Sequence, residues 1–264
     1  MSRAFVQQSD YRVFFDRLAD VATATILPHF RSAVTVDSKG TATFDPVTIA
    51  DREAELAIRR EIEKAFPDHG VIGEEFGATN AGADRVFVID PIDGTRSFIA
   101  GLPIWGVLVG LLVGGRPAFG MMAQPFTGER YFGDGSRAWY SGPGGPRDLH
   151  ARSCERLDDA VLFTTSPSLF GDGERAAYQR VEDDVRLARY GADCYAYCMI
   201  AAGTVDAVVE SGLQPYDIVP LIPIIEGAGG RVTTWDGGPA FAGGRVVATG
   251  DSRLHDRVLG VLAG

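Results

Sequence analysis

The sequence predicts a mixed α/β fold, with an antiparallel sheet and its helices in the first half and alternating helices and strands in the second. Three observations carry this. Apolar residues recur at roughly helical spacing near the start, at Phe14, Leu18, Val21 and Ile26. From Arg85 to Tyr140, short apolar runs follow one another at hairpin spacing, as successive antiparallel strands do. Beyond Ala160, strand-like and helix-like segments alternate, as in layered α/β units.

In order along the chain, the first helix is read from Asp10 to about Phe30. Val34 to Phe44 alternates and turns at Gly40, a short hairpin. Thr48 or Asp51 caps a second helix that runs to about Phe66, where Pro67, Asp68 and Gly70 end it. Val71-Ile72 forms a very short strand that stops at GEEFG, and the near-continuous apolar run Arg85 to Asp90 marks a buried strand. Strands follow at Gly106 to Val113, Arg116 to Gln124, Gly128 to Phe132 and Ala138 to Tyr140. The Pro/Gly-rich segment SGPGGPRD, Ser141 to Asp148, is the expected boundary between domains 1–145 and 146–264. In the second domain, strands are expected at Ala160 to Thr164, Val185 to Tyr190, Ala207 to Glu210, Val232 to Thr234 and Val246 to Ala248. Helices are expected at Gly173 to Val181, Cys194 to Ala202, Tyr216 to Gly227 and Ser252 to Leu262.

Composition narrows the function. The 264 residues include 25 Lys and Arg against 35 Asp and Glu, a formal charge of −10. Such a surface argues against nucleic acid or an anionic membrane as partner, and an anionic small substrate would need bound cations. No stretch approaches the roughly eighteen apolar residues of a membrane span, and the N-terminus lacks the apolar core of a signal peptide. The three cysteines, Cys154, Cys194 and Cys198, fit no paired framework, which suggests a reducing cytoplasm. HExxH, CxxC and GxxxxGK are absent, so zinc hydrolases, zinc fingers and P-loop enzymes fit poorly.

Acidic clusters stand at the ends of apolar runs: Glu74-Glu75 after VIG, Asp90 and Asp93 in DPIDGT, and Asp217 in PYD. Carboxylates on such ends project from rigid elements into a shared cleft, and hard divalent cations want oxygen ligands of this kind. Taken singly, each acid has the plainer reading of a solvated loop residue or helix cap. In DPIDGT, however, Pro91 holds the turn and Gly94-Thr95 starts a helix whose N–H groups are free to receive a phosphate.

These motifs resemble the inositol monophosphatase-like, Mg²⁺-dependent, Li⁺-sensitive phosphatases over nearly the whole chain. The matching segments are DPVTIAD (Asp45 to Asp51), GEE (Gly73 to Glu75), DPIDGTRSF (Asp90 to Phe98), and PYD with GAGG (Pro215 to Asp217, Gly227 to Gly230). Tyr216 stands where the family usually has Trp. The resemblance implies a layered α-β-α-β-α sandwich, two to three Mg²⁺ ions per subunit and a homodimer. It further implies that Glu74, Asp90 and the Ile92 carbonyl hold a first metal, and Asp90, Asp93 and Asp217 a second. Thr95, with Asp51 and with Thr48 and Asp45 nearby, would orient the water in an in-line displacement, and Asp93, Gly94 and Thr95 would meet the phosphate. No Cys-x5-Arg signature offers a thiol alternative.

Within the family, GADCYAY, VVESGLQPYD and RSFIAGLPIWG resemble the histidinol-phosphate phosphatase branch. The expected reaction is hydrolysis of histidinol phosphate, with inositol phosphate or another small phosphate ester as the alternative. The protonated amine of histidinol phosphate would find charge-assisted hydrogen bonds at Asp193 and Glu210. Asp193 is otherwise a helix N-cap and Glu210 a solvated strand end. Arg96 is either a phosphate or substrate contact or an exposed helix residue. Tyr195 and Tyr197 either flank the imidazole or pack in the core, and Trp105 is expected to pack.

Overall fold

The computed structural model describes residues 8–32, 36–38 and 46–264. Helix α1 (Gln8–Ile26) ends four residues before Phe30, because Pro28 disfavours helical backbone at Leu27 and has no N–H to donate. Strands β1 (Val36–Ser38) and β2 (Pro46–Thr48) pair antiparallel, so the expected hairpin has its second arm beyond Phe44. Gly40 and Asp45 lie outside the described residues.

Helix α2 (Ile49–Ala65) has the predicted Thr48 cap in a reciprocal arrangement. The Thr48 hydroxyl oxygen accepts the Ala50 N–H, and Asp51 accepts the Thr48 N–H. Next come β3 (Gly70–Gly73), β4 (Gly77–Thr79), which the sequence reading missed, and β5 (Arg85–Asp93). The short helix α3 (Thr95–Ile99) leads to β6 (Gly106–Val113), β7 (Arg116–Gln124), β8 (Glu129–Gly133), β9 (Ala138–Ser141) and β10 (Arg147–Asp148). Strands β3 to β10 form one eight-stranded sheet in the order β10-β9-β8-β7-β6-β5-β3-β4, antiparallel except for β3 with β5.

The second sheet is built from β11 (Val161–Thr164), β12 (Leu187–Tyr190), β13 (Ala207–Leu213), β14 (Arg231–Thr234) and β15 (Gly244–Thr249), in the order β12-β11-β13-β15-β14. Its helices are α4 (Asp172–Asp184), α5 (Asp193–Ala201), α6 (Pro215–Ile218), α7 (Ile222–Gly227) and α8 (Ser252–Ala263). The single helix expected from Tyr216 to Gly227 is therefore two. Pro220 cannot donate to the Tyr216 carbonyl and its ring crowds that turn, so the chain breaks at Val219–Leu221.

Strand periodicity explains the layering. Along β6, Val107, Val109 and Leu111 enter one core while Leu108 enters another. The first core lies under α1 and α2; the second fills the space between the sheets around α5 and α7. Along β15, Val246 and Ala248 join that middle core, and Val247 turns to a third beneath α4 and α8. The central strands of both sheets are buried on both faces, giving the α-β-α-β-α sandwich. Glycines let the middle layer close tightly. A Cβ on Gly120 would lie 1.7 Å from the Pro220 carbonyl oxygen, and one on Gly133 2.2 Å from that of Pro223. Among the described residues no helix is long and apolar enough to cross a membrane.

Candidate functional site

Residues three apart on a regular strand point to opposite faces, so Asp90 and Asp93 should diverge. The pairing of β5 with β6 slips between them: Asp90 sits opposite Leu108 and Asp93 opposite Gly106. Three steps on one strand thus face two on the other, a bulge that contains Pro91 and turns both carboxylates toward one place. Asp217, in α6, meets them there. One oxygen from each of Asp90, Asp93 and Asp217 lies within 4.8 Å of the others. Glu74, just after β3, hydrogen-bonds Asp90 but stands outside that triad.

The triad is electrostatically costly by itself. Burial, then the charges of Glu74, Asp93 and Asp217, push the Asp90 carboxyl well above the usual carboxylate range. Burial, then Asp193 and Asp217, do the same to Asp93, against the opposing pull of the Cys194 amide. Only hard oxygen donors converge here, the donor chemistry of a site for Mg²⁺ or a similar ion, and a cation would reverse the repulsion. The residues present fit such an ion.

Backbone and hydroxyl groups complete this side. Asp90 Oδ1 accepts the Ile92 N–H at 3.0 Å, and the Ile92 carbonyl accepts the Thr95 hydroxyl at 3.1 Å. Gly94, with φ of 82°, makes the left-handed turn into α3, a conformation glycine takes without strain. Asp51 is buried, and its Oδ2 accepts both the Thr48 hydroxyl at 2.6 Å and the Thr48 N–H at 2.8 Å. The partner of Asp51 in the structure is therefore Thr48, while Thr95 turns to Ile92.

The second sheet supplies the facing wall. Asp193 is the first residue of α5, whose cap is Ala192, so the N-cap alternative falls. Its Oδ2 instead accepts the Ser97 hydroxyl of α3 at 2.9 Å, and burial raises its carboxyl against the opposing hydrogen bonds from Ser97 and Thr165 and the Arg96 charge. The next residue, Cys194, gives its N–H to Asp93 Oδ2 at 2.6 Å. Glu210 is 3% exposed, which removes the solvated-strand alternative. It accepts the Thr165 N–H at 2.6 Å and the Thr164 hydroxyl at 3.3 Å, and burial pushes its carboxyl up to about 7. Arg96 is exposed at the start of α3. The Tyr195 hydroxyl donates to Glu129 at 2.6 Å, Tyr197 is buried with no hydrogen-bond partner for its hydroxyl among the described residues, and Trp105 packs against Phe30 and Phe98. Burial pushes the Cys194 and Cys198 thiols well up, which leaves no reactive thiolate.

Sequence reading missed the second set of partners: Ser97 for Asp193, the Cys194 amide for Asp93, and Thr164-Thr165 for Glu210. No local pattern could have found them, since the first two span 96 and 101 positions.

Comparison with known proteins bears on this geometry. The sequence profile of the inositol monophosphatase family matches residues 7–263. The chain is 43% identical over 254 residues to a chloroplastic bifunctional phosphatase, IMPL2, of Arabidopsis thaliana, covering 92% of this chain and 72% of that one. It is 35% identical over 227 residues to a histidinol-phosphatase of Mycobacterium tuberculosis, covering 85% and 86%. Its fold superimposes on an inositol monophosphatase from Zymomonas mobilis with a TM-score of 0.87 and 38% identity, covering 99% of this chain and all of the other.

Proposed function

The chain belongs to the inositol monophosphatase family, and from that membership we propose that it hydrolyses histidinol phosphate to histidinol and inorganic phosphate. Phosphatase chemistry is the family's; the substrate is the step taken here. The observation that carries it is the pair of acids on the second wall. Asp193 and Glu210 are held by protein hydrogen bonds, close enough for the Asp193 charge to act on both Glu210 and Asp93, and a protonated amine is the substrate group such acids recognise. The likeness to the M. tuberculosis histidinol-phosphatase supports the same reading.

Asp90, Asp93, Asp217, Glu74 and the Ile92 carbonyl would hold two to three Mg²⁺ ions. When bound, the metal supplies positive charge to the phosphoryl group and makes water acidic enough to attack near neutral pH. The chain's own groups do the rest. The Gly94 and Thr95 amides at the start of α3 receive the phosphate oxygens. Thr95, and Asp51 through Thr48, orient the incoming water in line with the ester oxygen. Water adds to phosphorus, the ester P–O bond breaks, and the leaving oxygen takes a proton to become the histidinol hydroxyl. Asp193 and Glu210 hold the amine end, with Arg96 at the edge of the phosphate.

A panel of phosphate esters at equal concentration and saturating Mg²⁺, read by phosphate release, tests the assignment. Histidinol phosphate should show the highest kcat/KM. The 38% identity to the Z. mobilis inositol monophosphatase favours inositol phosphate as the second reading, and a higher kcat/KM for it would replace the first. The same protein should run as a homodimer in light scattering.

A further inference from the structure

Asp51, Glu55 and Arg59 recur every four residues along α2, so they share one stripe of the helix. That stripe meets the turn that carries Glu74. Glu55 is completely buried. Its Oε2 accepts the Glu75 N–H at 2.7 Å, and its Oε1 accepts the Phe76 N–H at 3.3 Å and the Arg59 Nε–H at 2.7 Å. Arg59 also donates to the Gly77 carbonyl. On the other flank of Glu74, a Cβ on Gly73 would lie 2.0 Å from Glu55 Oε1, so glycine there is what lets the carboxylate reach the turn. The Glu74 N–H is itself tied to the Ile89 carbonyl at 3.2 Å, beside Asp90.

A buried ion pair adds little net stability over apolar packing of the same volume. Stability alone is thus a poor reason to place a carboxylate under a turn whose last residue, Phe76, is about half exposed, at 46%. The geometry points to a different role. We propose that Glu55 is a positioning residue for the cation site: it fixes the backbone on the C-terminal side of Glu74, and through it the aim of the Glu74 carboxylate beside Asp90. This rests on the reading of Glu74 as a cation ligand.

The test uses the full chain and Mn²⁺ as the probe, titrated without substrate and read by calorimetry or by the Mn²⁺ electron paramagnetic resonance signal. Glu55→Gln places an amide NH₂ against one of the donors that Glu55 now serves. Groups one step removed from a metal typically govern about 10–100-fold in its affinity, so Mn²⁺ binding should weaken about tenfold or more. Ile58→Val, in the core of the same helix, is the control for a merely structural loss: it lowers Tm but should bind Mn²⁺ like the parent. If Glu55→Gln does not fold, Arg59→Lys loosens the same grip and should show a smaller weakening.

Parent-like Mn²⁺ affinity in Glu55→Gln, or in Arg59→Lys where it replaces that variant, overturns the inference and leaves the reading of the site standing. An equal loss in Ile58→Val overturns it too. A parent chain that binds no Mn²⁺ would instead remove the reading, and the inference with it.

Discussion

Glu210→Gln deletes one charge and keeps the shape of the side chain, and the structure gives the size of each consequence. The variant's oxygen can stay on the Thr165 N–H while its NH₂ turns to the Thr164 hydroxyl, which accepts as readily as it donates. Exchanging a charge-assisted bond for a neutral one costs about 1 kcal/mol, and part of that returns because no charge is then buried. Folding should therefore barely change. Substrate binding should change much more. The lost bond from ammonium to carboxylate is worth about 1.5–3 kcal/mol, which corresponds to a rise in KM of about ten- to a hundredfold. The triad lies on other residues, so kcat should hold.

The assay is phosphate release from histidinol phosphate and from glycerol phosphate, which has no amine, at saturating Mg²⁺. Because burial raises the Glu210 carboxyl to about 7, the parent should also lose its amine contact as pH falls through that value. Its KM for histidinol phosphate should rise below pH 7 relative to glycerol phosphate, and Glu210→Gln should lack that difference. Equal losses on both esters would refute the reasoning, since Glu210 would then be supporting the fold or the cations.

Three further outcomes are expected. Excess chelator should abolish phosphate release, added Mg²⁺ should restore it and Li⁺ should inhibit it; full turnover in chelator would remove the triad from catalysis. Asp93→Asn keeps an oxygen for the Cys194 amide and so should fold, yet it loses an anionic ligand, and turnover at modest Mg²⁺ should fall beyond the roughly 10–100-fold typical of more distant groups; parent-like kcat would count against it as a ligand. His255 is buried between the Thr233 and Thr249 hydroxyls, and burial lowers it from 6.5 to about 4. The unfolded chain takes up that proton first, so this contribution is complete above pH 6.5 and falls, by up to about 3 kcal/mol, as pH drops toward 4. Urea midpoints of the parent and His255→Gln from pH 8 to 4.5 should converge on the acid side, and parallel curves would contradict the assignment.

Local patterns in the sequence went far. The Thr48 cap, the apolar run into DPIDGT and the PYD motif located α2, β5 and the three converging acids, because caps, strand burial and turn residues are written within a few positions. What escaped depended on distant partners or on a proline read as neutral. Pro28 and Pro220 stop helices whose apolar spacing continues past them. Pro91 is legible as a turn in DPIDGT, but the slip of β5 against β6 that turns Asp93 toward Asp90 depends on the neighbouring strand. Glu210 reads as a substrate-facing acid, but its partners Thr164 and Thr165, 46 and 45 positions earlier at the end of a neighbouring strand, leave no local trace.

The glycine-paved inner face of the first sheet has a consequence for synthesis. That face is covered by the Pro220 to Ile224 backbone, and the sheet's last strand is complete at Asp148. Translation at about 5–20 residues per second must add roughly 80 more residues before α7 ends, a wait on the order of 4–16 s. A sheet formed in that interval would offer Leu108 and Met122 to water, since the residues that bury them do not yet exist. An open apolar sheet face is where nascent chains associate wrongly. A chain paused at that stage would carry Asp90 and Asp93 but not Asp217, an acidic pair without the third ligand of its site.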